Sequence, residues 1–113
     1  MFDDRPGWSV GFRLWIERAG QPVLGPGRVK LLEEIDRLHS IRAAATHLRM
    51  SYRKAWSLVR SMNEAAGEPL VELATGGLGG GGASLTPFGK EAITLFRSLT
   101  DQISRTASQI GSE

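Results

Sequence analysis

The chain has 113 residues, 41% of them apolar and 23% charged, with a formal net charge of +2. That is room for one domain and excludes an intrinsically disordered chain. The lack of cysteine excludes disulfides and thiolate metal sites, and no apolar run approaches the about 20 residues of a bilayer span, so a cytoplasmic protein without membrane contact is expected.

Residues 1–10 carry Asp, Pro and Gly without periodicity and read as a flexible tail. Their acids stand where a secretory signal would be basic. Phe12, Leu14 and Ile16 then alternate with Arg13, Trp15 and Glu17, the period-two pattern of a half-buried strand. Gly20, Pro22, Gly25, Pro26 and Gly27 mark a turn-rich link.

From Gly27 the period lengthens. Val29, Leu32 and Ile35, with Leu31 and Leu38 beside them, fit one face of a helix. Ser40 suits the N-cap of a second, short helix through Ile41, Ala43, Ala44, Ala45 and Leu48, whose alanines allow close packing. After the tight link Arg49-Met50, Ser51 caps a third helix that runs to about Ala66 and is stopped by Gly67 and Pro69. Residues 70–75 read as a strand, and Ala83, Ser84 and Leu85 as its partner. Between them, six of the seven residues 76–82 are glycine. Thr86 can cap a last helix with Pro87 at its first position. Ala92, Leu95, Leu99, Ile103 and Ile110, with Phe88 and Phe96, give that helix an apolar stripe.

The order predicts a mainly α fold with a small β-hairpin, a winged helix-turn-helix followed by a long C-terminal helix. The boundaries implied are 1–10 for the tail, 11–86 for the winged domain and 87–113 for the helix. The stripe exceeds what a three-helix core can cover, which predicts a homodimer with Phe88, Ala92, Leu95, Phe96, Leu99 and Ile103 at its interface.

The third helix carries the chemistry. At 3.6 residues per turn, Ala55, Leu58, Val59 and Met62 share an inward face. Arg53, Ser57 and Arg60 fall opposite, Lys54 on one flank and Trp56, read as half-buried at the domain edge, on the other. Ser51, Tyr52 and Arg53 occupy the first turn, where free N–H groups and the helix dipole favour phosphate. An Arg can make two hydrogen bonds to a guanine edge. No acid lies between Asp36 and Glu64, while Arg37, Arg42, Arg49, Arg53, Lys54 and Arg60 do, so a near-neutral chain contains a strongly positive segment. Double-stranded DNA is the partner this predicts, with Arg42, Ser51, Tyr52, Arg53, Lys54, Ser57 and Arg60 at the contact.

The glycine run is not followed by Lys-Ser or Lys-Thr or by an immediate helix, which sets aside a phosphate-loop reading. It reads as a wing, with Gly77, Gly79 and Gly80 letting the backbone approach DNA, or as a hairpin tip without contact, since no Lys or Arg lies between Leu73 and Gly89. His39 and His47 read as surface or phosphate-facing, and Glu33, Glu34 and Asp36 as a solvated face. No catalytic arrangement, metal site or cofactor is expected.

The run MSYRKAWSLVRSMN with PLVELATGGLGGGGASLTPFG, preceded by RVKLLEEIDRLHSIRAAATHLRMS, resembles the N-terminal domain of the ModE family of molybdate-responsive regulators, related in fold to LysR-type domains. The resemblance covers about residues 12–99. It implies a DNA-binding dimer in which Ser51, Tyr52, Arg53 and Lys54 open the recognition helix, residues 76–82 form the wing, and the first strand and last helix join the dimer interface. Two departures stand out. Leu78 lies where many relatives have a basic residue, and the chain ends at Glu113 without the family's C-terminal oxyanion-binding domain. A sensorless regulator, or one served by a separate molybdate-binding partner, is the resulting expectation. The alternative is an interaction module that dimerises with a longer paralogue or sensor partner and does not itself bind DNA.

Overall fold

The computed structural model describes residues 5–74 and 82–112, with side chains to residue 109. Among these residues the elements follow in the order β1 (Ile16–Arg18), β2 (Gln21–Leu24), α1 (Pro26–Leu38), α2 (Ile41–His47), α3 (Tyr52–Ala66), β3 (Val71–Ala74), β4 (Gly82–Leu85) and α4 (Pro87–Ser112). This is a winged helix-turn-helix with a second, N-terminal hairpin and a long last helix. No helix of the described residues is long and apolar enough to cross a membrane.

The helices start where side chains can satisfy free N–H groups. Ser40 Oγ accepts from Ala43 N at 3.0 Å and opens α2. Ser51 Oγ accepts from Lys54 N at 3.0 Å and opens α3. Thr86 Oγ1 accepts from Gly89 N at 3.0 Å and opens α4. α1 has no side-chain cap and begins instead on Pro26, whose ring presets the helical φ.

The ends are equally local. Gly67 closes α3 at φ 78°. Between α2 and α3 the left-handed position falls to Arg49, at φ 58°. Its N–H donates to Thr46 O at 3.2 Å and that of Met50 to Ala45 O at 3.0 Å, the paired hydrogen bonds of a Schellman turn.

Val29, Leu31, Leu32 and Ile35 of α1, Ala44 and Ala45 of α2, and Ala55, Val59 and Met62 of α3 form one buried cluster. Leu70, Val71, Ala83 and Leu85 bring the wing into it. β3 and β4 pair antiparallel, with Val71 opposite Leu85 and Ala74 opposite Gly82. Asn63 of α3 fastens the wing. Its Oδ1 accepts from Leu70 N at 2.8 Å and Val71 N at 3.3 Å, and its Nδ2 donates to Val71 O at 3.2 Å. Ala83 N donates to His39 O at 3.0 Å, tying β4 to the end of α1. α4 crosses the wing so closely that a Cβ on Gly89 would lie 2.2 Å from Leu70 O, which makes glycine a steric requirement there.

Four details differ from the sequence reading. The first strand is shorter, and Phe12 is exposed rather than half-buried. The turn-rich link contains β2, which pairs with β1 through a two-residue turn at Ala19 (φ 51°) and Gly20 (φ 78°). Two positive φ values match the twist of a tight hairpin. Pro22 fits because each strand of a two-stranded sheet is an edge.

The apolar stripe of α4 is also divided. Ala92 and Phe96, expected at a dimer interface, are buried in this subunit's own core, because that part of the helix still lies over the domain. Phe88, Leu95 and Ile103 stay exposed and Leu99 half-buried. From residue 101 to 109 only Ala107 is half-buried, so the helix has run past its own domain.

Two of the three acids of α1 are not a free solvated face either, although Asp36 is exposed. Glu33 pairs with Arg97 of α4, whose guanidinium is raised by that hydrogen bond against the opposing effect of desolvation. Glu34 accepts from Arg37 at 2.6 Å and lies 3.1 Å from His47 Nδ1, so His47 faces a carboxylate of α1.

Candidate nucleic-acid interface

α3 presents four stripes, as 3.6 residues per turn requires. Ala55, Val59, Met62 and Ala66 are buried. Arg53, Ser57 and Arg60 point away from the core and are exposed. One flank carries Lys54, Leu58, Ser61 and Ala65. The other carries Tyr52, Trp56 and Asn63.

The outward ridge is the surface that the sequence placed against DNA. Tyr52, Arg53, Trp56, Ser57 and Arg60 line one shallow concavity of about 410 Å³. Ser51, Tyr52, Arg53 and Lys54 are exposed at the start of the helix, and Ser51 is held there by its cap. Among the described residues, the side chains of Arg53, Lys54 and Arg60 have no ion-pair partner. A row of cations without internal carboxylates is available to an external polyanion.

Arg42 and Tyr52 are drawn together across the α2–α3 corner. The Arg42 guanidinium carbon lies 4.2 Å from the centroid of the Tyr52 ring. Trp56 Nε1 donates to Tyr52 Oη at 2.6 Å. Arg42, Tyr52 and Trp56 therefore form one stacked and hydrogen-bonded set that spans both helices. The tyrosine is positioned by its neighbours before any ligand arrives. The sequence placed Trp56 at the domain edge, and it is half-buried there, yet its role in orienting Tyr52 was missed. The spacing of four between Tyr52 and Trp56 was the available signal.

Both hairpins are pinned to this helix, on opposite flanks. The β3–β4 wing adjoins the Trp56 and Asn63 side, leaving a groove of about 510 Å³ whose lining includes Arg60, Glu64 and Glu72. The β1–β2 hairpin adjoins the Lys54 and Ser61 side. Arg28 of α1 clamps it, donating to Pro22 O at 3.1 Å, Val23 O at 3.3 Å and Ser61 Oγ at 3.2 Å. Arg18 reaches Ala65 O at 3.4 Å from the far end of the hairpin. Sequence reasoning did not assign Arg28 or Arg18, because a guanidinium that clamps carbonyls has no local pattern. The expectations for Gly77, Gly79 and Gly80 lie outside the described residues.

Comparison with known proteins fits this geometry. Residues 27–90 match the family described as bacterial regulatory helix-turn-helix protein, lysR family. The chain is 42% identical over 76 residues to the molybdenum transport protein ModE of Azotobacter vinelandii, covering 67% of this chain and 28% of that one. It is 39% identical over 92 residues to the molybdenum-pterin-binding protein MopA of Rhodobacter capsulatus, covering 81% and 35%. It is 41% identical over 88 residues to the DNA-binding transcriptional dual regulator ModE of Escherichia coli K12, covering 78% and 33%. The chain thus spans about a third or less of the length of these relatives.

Proposed function

Since the chain belongs to the lysR family of bacterial regulatory helix-turn-helix proteins, with a DNA-binding domain of ModE type, we propose that it is a sequence-specific transcriptional regulator acting on double-stranded DNA as a homodimer. The observation that carries this reading is the exposed ridge Arg53, Ser57 and Arg60, on a capped helix within a segment free of acids. An α-helix about 10–12 Å across fills a major groove about 12 Å wide. Arg53, beside the first turn, reads base edges, whereas Ser51, Lys54 and Arg60 meet phosphates. Tyr52, braced by Arg42 and Trp56, stands at the front of the helix.

Dimerisation is supported by the far part of α4, where Leu95 and Ile103 are exposed and Leu99 is only half-buried within the subunit. A two-fold pair of recognition helices requires an inverted-repeat operator with half-sites about 10 bp, or a multiple of it, apart. Molybdenum belongs to the names of the relatives. A separate molybdate-binding partner is the route by which a molybdate signal would reach this DNA-binding unit, and a sensorless regulator is the reading without one.

Selection of duplexes from a random pool, followed by anisotropy titrations at several salt concentrations, tests the reading. About six phosphate contacts give a log–log salt slope near −5. Arg53→Ala should relax base preference, by about 1–3 kcal/mol at one position, and Arg60→Ala should weaken all sequences alike. If neither variant differs from wild type on any duplex, α3 is not the recognition helix. Mixed dimers with a longer paralogue, without any retarded DNA complex, would instead identify an interaction module.

A further inference from the structure

The flank of α3 away from the wing ends in a cleft of about 590 Å³ between the β1–β2 hairpin, the start of α1 and the start of α3. Arg13 and Trp15 close it on the hairpin side, and Lys54 and Leu58 on the α3 side. Its lining contains Arg13, Arg28 and Lys54 and no acid. The groove on the wing side has Arg60 together with Glu64 and Glu72. The two flanks of one helix therefore differ in sign.

The three cations are not equivalent. Arg28 is committed to Pro22, Val23 and Ser61. Arg13 and Lys54 are exposed, and neither side chain has a hydrogen-bond or ion-pair partner among the described residues. Arg13 lies in the segment that leads into β1, beside Leu14 and Ile16, which pack half-buried against the core, and the hairpin that follows is held in place. Val23 and Leu24 are buried in the core, and Arg28 and Arg18 clamp its strands to α3.

We propose that this cleft is a second wing, with Arg13 and Lys54 taking the DNA phosphate backbone on the side of α3 opposite the β3–β4 hairpin. The proposal rests on the reading of α3 as the recognition helix. A helix that fills the major groove brings the phosphates of both strands against its two flanks. The wing meets one strand. The other strand runs along the Lys54 stripe and meets Arg13, because the hairpin stands beside that stripe. Phosphate contacts of this kind set register and affinity without reading sequence.

The test uses the full chain, a duplex that the wild-type protein selects from a random-sequence pool, and a scrambled duplex of equal length. Arg13→Ala is expected to weaken both duplexes by the same factor, about three- to tenfold. It should also reduce the steepness of the salt slope by about 0.9, the loss of one phosphate. Arg13→Lys should restore most of the slope, and thermal stability should not move, because Arg13 is exposed. Arg105→Ala, which removes the same charge from the far part of α4, should leave the slope intact. Neutral methylphosphonate at one backbone position should weaken wild type and leave Arg13→Ala indifferent.

An unchanged slope in Arg13→Ala overturns the second wing, as does an equal loss in Arg105→Ala or a response to every methylphosphonate identical to wild type. If Arg53→Ala still loses base preference in those cases, only the second wing falls. If the wild-type protein binds neither duplex, the reading of α3 falls and this proposal with it.

Discussion

The two hairpins on either side of α3 are fastened by different chemistry. The β3–β4 wing is part of the core. Leu70, Val71, Ala83 and Leu85 are buried, and Asn63, Thr86 and His39 O satisfy its backbone from within. The β1–β2 hairpin buries Val23 and Leu24, rests the half-buried Ile16 on the core, and is held besides from outside by the guanidinium groups of Arg28 and Arg18. One hairpin is inseparable from the fold, and the other is a clamped attachment. Damage to the first should read out as stability. Damage to the second should separate DNA binding from stability.

The largest break should come at Gly89→Ala. The new methyl would meet Leu70 O at 2.2 Å, so β3 and α4 must move apart. A loss of roughly 3 kcal/mol is expected in denaturant titration. A variant as stable as wild type would show that this crossing is not tight. Asn63→Ala comes next. It leaves the buried Leu70 N–H and its neighbour Val71 without their side-chain partner. About 2–3 kcal/mol should be lost, which thermal unfolding would measure. If Asn63→Ala costs less than Arg28→Ala, the contrast between the hairpins is reversed.

Arg28→Ala should cost about 1–2 kcal/mol, since Pro22 is exposed and Ser61 half-buried, so water can replace part of what is lost, whereas Val23 is buried. Amide exchange should quicken in β2 and not in β3, and equal quickening in both would contradict independent fastening. The smallest effect is a gain. Ala19→Asn places a residue tolerant of the left-handed region at φ 51° and should stabilise by about 0.5 kcal/mol in a melting experiment. No gain would mean that the turn does not limit the hairpin.

What the sequence revealed follows the same division. The wing, the three core helices and the start of α4 were legible because their signals are local. Ser40, Ser51 and Thr86 mark helix starts, Gly67 an end, and the apolar period marks the faces. The N-terminal hairpin was not. Its turn uses Ala19 instead of Asn, its second strand contains Pro22, and only Val23 and Leu24 speak for burial. Its placement depends on Arg28 and Arg18 reaching atoms 5 to 47 positions away in sequence. The stripe of α4 was visible, but not where the domain beneath it ends, so Ala92 and Phe96 could not be told from Leu99 and Ile103. The outward ridge of α3 was read from spacing alone, whereas the bracing of Tyr52 by Arg42 needed the α2–α3 corner in space.

That corner has a further consequence. A glycine at position 49 would adopt φ 58° without effort, whereas an L-residue gives up roughly 1–2 kcal/mol there. The bend nevertheless displays an arginine, exposed and at the head of α3, the proposed recognition helix. Backbone ease has been surrendered for a cation at the tightest point of the motif. Ranking variants of this protein by folding strength alone would therefore favour Arg49→Gly and discard a charge beside the surface proposed to meet the double helix.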